Sequence, residues 1–391
     1  MRSTIRPRLE PLEDRMLLSA TPDIQMLGAT TADSRTVSVS FNIAGADLIG
    51  QVLNFNIYRS ANFNSIAGAQ LIGTAAIPAS DSADLSIGQH PGVKLALTDT
   101  NGQPLPTLTP NPALPFVVVV ANPNGTITES NTANNTASFE THTLGVIVHG
   151  IEFNFFRPTT PAWETQMATA LQQVDHYEAV IPFNWVQGSL MPFPGQTAKA
   201  ASQLTQQVLA EVDQLAGQHP GDVVDVNFIG HSRGDVVISQ ALEDLEGVND
   251  PAFHGGYIQM TMLDPHPANN QFGPINWDPN NVLADFIAAF TYIFQALVQD
   301  PQVIVPPDVT RAVEFDQQTP SGQHFAAPVE QFVNLWGEGP TALPNQTGQP
   351  IPSQNLTGVI APGIGLIGHD EVHDWYTANV VETNKTFTFF G

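Results

Sequence analysis

The chain has no cysteine, which excludes disulfide bonds, thiolate nucleophiles, zinc–thiolate sites and iron–sulfur clusters. Basic side chains are also scarce: 12 lysines and arginines stand against 37 acidic residues, and the formal net charge is -25. A surface of this sign repels nucleic acid and anionic membranes, so we expect neither as a partner. The charge suits a salty or calcium-containing medium, but it specifies no reaction.

Long apolar runs are missing as well. No stretch reaches the roughly 18 residues that a bilayer span requires. The strongest candidate, residues 282–299, carries Asp285 and is more typical of a helix in a soluble protein. We therefore expect no integral membrane span.

The length of 391 residues and the hydrophobic fraction of 42% predict more than one domain. Within residues 21–142, apolar and polar residues alternate at 36–43 and 53–58, and residues 115–120 form a continuous apolar strand before the turn at 122–125. Several short strands of this kind predict a β-sandwich. The Asn/Asp-rich turns lack the acidic spacing of a calcium site.

Residues 120–136 resemble the final hairpin of CARDB-like domains, which are immunoglobulin-like modules of exported bacterial proteins. The resemblance implies either a structural spacer or a binding unit for residues 21–142, and both remain open. We see no catalytic constellation in this half.

The first 20 residues differ from the rest, because charges interrupt every apolar pair at 6–20. The apolar stretch at 16–18 is too short for a conventional signal peptide. The segment closely resembles the LEPR-XLL leader of planctomycete surface and extracellular proteins. The resemblance implies a secreted or cell-surface protein; the alternative is a disordered tail without a targeting role.

From residue 143 to 391, strand patterns alternate with helix patterns, which predicts a mostly parallel sheet with helices on both faces. The motif Gly-His-Ser-Arg-Gly at 230–234 lies between a predicted strand at 223–229 and a predicted helix at 235–242. A G-x-S-x-G in this context is typical of the nucleophile elbow, so Ser232 is the predicted nucleophile. The side chains of Arg233 and Asp235 could contact substrate or form a local salt bridge.

This half resembles lipase-like α/β-hydrolases, and residues 148–151 resemble their oxyanion-hole segment. The resemblance implies that the backbone amides of Ile151 and Arg233 hold the oxyanion, while His149 is a structural residue. The order serine, acid, histidine then places the acid and base later in the chain.

Asp264 ends a predicted strand at 256–263, and the segment is similar to the one that carries the acid in pancreatic-lipase-like enzymes. The alternative acid is Glu338, after a predicted strand at 329–336. For the base, residues 367–376 resemble the histidine-bearing turn and helix of the same group. His369, expected in the loop, is preferred over His373, expected one turn into the helix and near the surface.

These resemblances imply an α/β-hydrolase domain behind an immunoglobulin-like sandwich, with an extracellular ester hydrolase activity that forms an acyl-enzyme and needs no metal or organic cofactor. The substrate would be a small-molecule, lipid or polymer ester. Arg233 departs from the small or apolar residue that lipases more often carry, so a polar ester, amide or polyester substrate is open. A peptidase or amidase and an inactive surface scaffold remain alternatives, and the helix at 282–298 is either a lid or an ordinary covering helix.

Overall fold

The computed structural model describes residues 20–99, 101–105, 107–152, 158–191, 193–265, 298–316, 351–356, 359 and 367–389, with residues 367–370 described in their backbone alone. The predicted leader at 1–19, the predicted helix as far as residue 297, and the predicted strand at 329–336 with Glu338 lie outside these residues. Within the described segments, no helix combines the length and hydrophobicity needed to cross a bilayer.

The first half is a sandwich of two antiparallel layers whose alternating side chains meet in one core. Val37, Val39 and Phe41 are fully buried and pack with Phe55 and Val117 of the opposite layer. One layer contains β1 (Asp23–Thr31), β2 (Val37–Ala44) and β5 (Gly88–Leu95), and the other contains β3 (Leu53–Ser60), β4 (Gln70–Ile77), β6 (Phe116–Ala121) and the start of β7 (Thr136–Val148).

The second half is a parallel sheet in the order β8, β7, β9, β10, β11, β12. One face is covered by α3, α4 and α5, and the other by α1, α6 and a π-helical turn. This is the α/β-hydrolase fold predicted from the sequence. The strands are β8 (Ala179–Phe183), β9 (Val223–His231), β10 (Ile258–Leu263), β11 (Arg311–Asp316) and β12 (Ser353–Asn355). The helices are α1 (Ala162–Gln173), α2 (Val186–Ser189), α3 (Gln196–Ala216), α4 (Gly234–Glu246), α5 (Pro251–Gly255) and α6 (Ile367–Tyr376), and the π-helical turn is Thr377–Val381.

Strand β7 belongs to both halves. Its residues 136–140 pair with β6 in antiparallel fashion, and its residues 141–148 pair with β9 in parallel. The sandwich layer and the parallel sheet are therefore one continuous hydrogen-bonded sheet. The predicted domain boundary between residues 142 and 143 lies inside β7, two residues after its pairing partner changes.

Candidate active site

Ser232 occupies the sharp turn between β9 and α4. Its φ is 58°, a left-handed conformation that is unfavourable for a non-glycine residue, and its side chain is buried. The Ser232 amide donates to the carbonyl of Leu263 at 3.0 Å, which ties the turn to the end of β10. The strained backbone and this neighbouring strand hold Ser232 at the carboxyl edge of the sheet, where open α/β sheets bind ligands.

The glycines at both ends of the motif allow the elbow to pack closely. A Cβ at Gly230 would lie 2.3 Å from Oδ1 of Asp235, and a Cβ at Gly234 would lie 2.1 Å from the carbonyl oxygen of Val148. Helix α4 therefore begins directly against the end of β7. The first N–H groups of a helix have no partner within the helix, so the Arg233 amide at the N-cap is at a position suited to an anion.

The chain that leaves β7 passes directly beside the nucleophile. A Cβ at Gly150 would lie 2.6 Å from Cβ and 3.0 Å from Oγ of Ser232. Ile151, the next residue, is half-buried and packs against Val298. The structure thus brings the segment that carries Ile151 next to Ser232, which Arg233 follows in the chain. The oxyanion-hole role of Ile151 and Arg233 stays a prediction.

His149 is held by its neighbours rather than presented to substrate. Its Nδ1 lies 2.8 Å from the carbonyl oxygen of Gly150, while its Nε2 accepts from the Trp185 amide at 3.2 Å. The Trp185 indole N–H donates to the His149 carbonyl at 2.7 Å. Burial lowers the pKa of His149 to about 4, so the ring is neutral at pH 7. These contacts fit the structural role expected for His149.

The Arg233 side chain forms a buried ion pair. The guanidinium is fully buried, and its Nε and NH2 donate to the two carboxylate oxygens of Asp300 at 2.5 and 2.9 Å. It also lies 5.3 Å from the centre of the Trp185 ring. Arg233 and Asp235 do not form the local salt bridge that was one expectation, because Arg233 binds a residue 67 positions away and the Asp235 oxygens have no hydrogen-bond partner among the described residues. The other expectation, contact with substrate, stays a prediction.

Two acidic residues, Asp264 and Asp316, end adjacent strands next to Ser232. The register pairs Leu263 with His231 on one side and with Phe315 on the other, so Asp264 lies between Ser232 and Asp316 along the edge. Asp264 also has a positive φ, 51°, and is almost fully buried. The structure therefore places Asp264 beside Ser232; its role as the acid stays a prediction.

Asp316 is a second candidate acid that the sequence analysis missed. Burial raises its pKa, and the nearby Asp264 carboxylate raises it further. Oδ2 of Asp316 accepts a hydrogen bond from the side-chain amide of Asn355 at 3.2 Å. The signal in the sequence was weak, because residues 311–315 mix charged and apolar side chains, and β11 is only six residues long and follows a proline-rich stretch.

A third carboxyl group, Asp235 in the first turn of α4, is fully buried beneath the elbow. Neither of its side-chain oxygens has a hydrogen-bond partner among the described residues. Burial raises its pKa well above the ordinary value, and the Glu314 and Asp264 carboxylates raise it further. The environment of Asp235 therefore favours the neutral, protonated form of its carboxyl group.

Both candidate histidines lie in α6, so His369 is in the first turn of the helix rather than in the loop before it. The side chain of His369 lies outside the described part of the chain. His373 is buried, contrary to the surface position expected for it. Its ring stacks on Trp163 with a centroid distance of 4.2 Å and meets the His231 ring edge-on at 4.9 Å.

The Nδ1 of His373 lies 2.9 Å from Oδ1 of Asp374, an exposed carboxylate on the same helix. In a triad the equivalent nitrogen binds the buried acid. His373 therefore packs against His231, the residue before the predicted nucleophile. Its Nδ1, however, pairs with Asp374 rather than with Asp264 or Asp316.

No protein-family profile and no curated protein matches the sequence. Among solved structures, the chain is similar to the NocB thioesterase domain in covalent complex with a fluorophosphonate nocardicin G analogue, at 12% identity and a TM-score of 0.31, covering 62% of this chain and 91% of that one. It is also similar to ClbQ from the colibactin NRPS/PKS pathway, at 10% identity and a TM-score of 0.32, covering 63% of this chain and 96% of that one. A cutinase-like protein from Cryptococcus sp. is similar at 12% identity and a TM-score of 0.26, covering 51% of this chain and 97% of that one. Similarity of this extent supports no functional inference, so function is argued from the site.

Proposed function

We propose that the chain is a serine hydrolase that cleaves carboxylic esters through an acyl-enzyme on Ser232. The observation that carries the proposal is the strained conformation of Ser232 at the β9–α4 turn, with the Gly150 segment packed against it. A buried serine that only began a helix would not require this conformation. The arrangement holds the buried Ser232 oxygen against the Gly150 backbone, where a carbonyl group that enters the site would meet it.

In the proposed mechanism a histidine of α6 takes the Ser232 proton as Oγ attacks the ester carbonyl. The amides of Ile151 and Arg233 stabilise the oxyanion, the protonated histidine gives its proton to the leaving alcohol, and water then releases the acid. We assign the base to His369, because the Nδ1 of His373 already pairs with Asp374.

We assign the acid that orients the histidine to Asp264, with Asp316 as the alternative. Asp264 adjoins Ser232 directly, whereas Asp316 is one strand farther, about 4.8 Å in the hydrogen-bonding direction. Glu338, the alternative from the sequence, lies outside the described residues. Replacing each acid by its amide separates the candidates, because the true acid gives the larger loss of kcat.

A cavity of about 490 Å³ next to the contact between Trp185 and His149 is the basis for proposing a polar ester substrate. Its lining includes Asn184, Gln187 and Lys199 together with Trp185, which binds the carbonyl of His149 next to Gly150. The buried Arg233–Asp300 pair adds no apolar surface for an acyl chain. Esters of short acids with polar alcohols are therefore the first substrates to assay.

The deciding experiment is intact-mass analysis after treatment with a fluorophosphonate. We expect one adduct per native chain, none on Ser232→Ala, and full labelling of the control Ser202→Ala, whose serine is exposed on α3. His369→Ala should slow labelling far more than His373→Ala. A folded native protein that takes no label would refute the hydrolase proposal and favour an inactive scaffold; turnover of peptides but not esters would favour a peptidase.

We also propose that the protein is exported or held at the cell surface, on the basis of the leader-like residues 6–20 alone. The β-sandwich then acts as a spacer that carries the hydrolase half. Fractionation of cells that express the full chain, compared with a chain that lacks residues 1–19, tests this. Equal intracellular retention of both forms would refute it.

A further inference from the structure

A cluster of histidines and carboxylates lies where the sandwich meets the parallel sheet. Glu140 and His142 are on β7, and Asp222 immediately precedes β9. One ligand atom each from Glu140, His142 and Asp222 lies within 4.8 Å of the other two. His219, three residues before Asp222, approaches two of them: its Nδ1 is 3.3 Å from Oδ2 of Asp222 and 3.7 Å from Oε2 of Glu140.

The His142 ring is oriented as in a metal site. It is fully buried, and its Nδ1 lies 2.9 Å from Oε2 of Glu178, while Nε2 has no hydrogen-bond partner. Nε2 faces Oδ2 of Asp222 at 3.5 Å. A histidine whose one nitrogen donates to a carboxylate can bind a cation through the other once the cation has displaced the proton there; this is the usual outer-shell arrangement of metal-binding histidines.

Asp222 is likewise held in place by the backbone. Its Oδ1 accepts from the Glu140 amide at 2.8 Å and its Oδ2 from the His219 amide at 2.9 Å. Both side-chain oxygens are buried, whereas the His219 ring is 39% exposed. The buried ligands are therefore fixed, and the exposed ring can adjust as the last ligand.

We propose that Glu140, His142, Asp222 and His219 bind a divalent transition-metal ion, with Zn²⁺ as the best fit. Zinc takes nitrogen and carboxylate ligands at about 2.0–2.2 Å in a tetrahedron, whose edges are then about 3.4 Å. The three distances of 3.3, 3.5 and 3.7 Å match such edges. Two imidazoles among the ligands favour zinc over calcium or magnesium, which prefer oxygen ligands only.

Charge supports a cation at this position. The Glu140, Asp222 and Glu178 carboxylates converge on one imidazole, and no lysine or arginine in the described segments forms an ion pair with them. A divalent ion would offset carboxylate repulsion that a single proton on His142 offsets only in part.

The ion would act as a structural clamp. His142 lies eight residues from Gly150 along β7 and the segment after it, about 26 Å at 3.3 Å per residue, so the site is far from Ser232. Four protein ligands leave no open position for substrate. The turn at 219–222 also contacts the sandwich, because Thr30 donates to the Gly221 carbonyl and the Phe63 ring stacks on His219.

The test begins with full-length protein that has been treated with a chelator and dialysed. We expect addition of ZnCl2 to give about one zinc per chain by mass spectrometry and to raise Tm by about 5 °C. Co²⁺ should give the visible absorption bands of a tetrahedral site. Glu140→Gln and His219→Ala, both partly exposed positions, should lower zinc affinity at least about 10-fold.

The control is His254→Ala, because His254 and Asp308 form a partly exposed pair at 3.2 Å outside the cluster. This variant should bind zinc as the native chain does. Native protein whose metal content and Tm do not respond to zinc would overturn the proposal, as would uptake unchanged in both cluster variants. Fluorophosphonate labelling of Ser232 reports the active site separately.

Discussion

A methyl group added at Gly150 would collide with the proposed nucleophile. The new Cβ would lie 2.6 Å from Cβ of Ser232 and 3.0 Å from both Oγ of Ser232 and the carbonyl oxygen of His231. Non-bonded carbons normally approach to about 3.5–4.0 Å, so about 1 Å of displacement must be absorbed locally. Overpacking of this size costs about 1–3 kcal/mol of stability. A displacement of about 1 Å at a reacting atom lowers the rate about 100-fold.

We therefore expect Gly150→Ala to label with fluorophosphonate about 100-fold more slowly than the native chain while it remains folded. The labelling rate is measured by intact mass against time, and the free energy of unfolding by urea titration. Gly247→Ala is the matched control, because its new Cβ would meet nothing closer than 3.6 Å. A Gly150→Ala protein with native labelling rate and stability would refute the placement of this segment against Ser232.

Three further predictions concern buried groups. Arg233→Met should lower the free energy of unfolding, measured in urea, by about 3–5 kcal/mol, because it leaves the buried Asp300 carboxylate without its guanidinium partner. Adding Asp300→Leu to the same chain should restore most of that stability. A free energy of unfolding of Arg233→Met within about 1 kcal/mol of the native value would contradict this pairing. Burial raises the pKa of Asp175 to about 7, so the folded state binds this proton more tightly than the unfolded state and stability falls as pH rises from about 4 to about 7. Asp175→Asn should reduce the dependence of the free energy of unfolding on pH by up to about 1.4 kcal/mol per pH unit. Urea titrations between about pH 4 and pH 7 that show the same pH dependence in the variant and the native chain would exclude Asp175 as its source. Gly234→Ala places a Cβ 2.1 Å from the Val148 carbonyl oxygen and should cost about 3 kcal/mol or more, and a melting temperature equal to native would show that the elbow is looser than described.

The sequence alone predicted the elements whose signals are local. The period-two alternation of residues 36–43 corresponds to β2, and the helix predicted at 235–242 corresponds to α4 (Gly234–Glu246). The G-x-S-x-G motif placed Ser232 between β9 and α4 because the strand, turn and helix that define the elbow are adjacent in the chain. Such patterns depend on neighbours within a few residues, so they can be recognised from the sequence without knowledge of the tertiary structure.

The tertiary structure decided what the distant residues do. Arg233 binds Asp300, 67 residues away, and Asp316 lies beside Asp264 only because β11 pairs with β10. His142 and His219 form one cluster because β7 pairs with β9, which brings together turns and strands about 80 residues apart. Sheet order and register create these neighbours, and neither is encoded in the spacing of any one motif. The sequence therefore determined the fold class and predicted Ser232 as the nucleophile, while the proposed acid, the partner of Arg233 and the proposed metal site depend on which strands lie side by side.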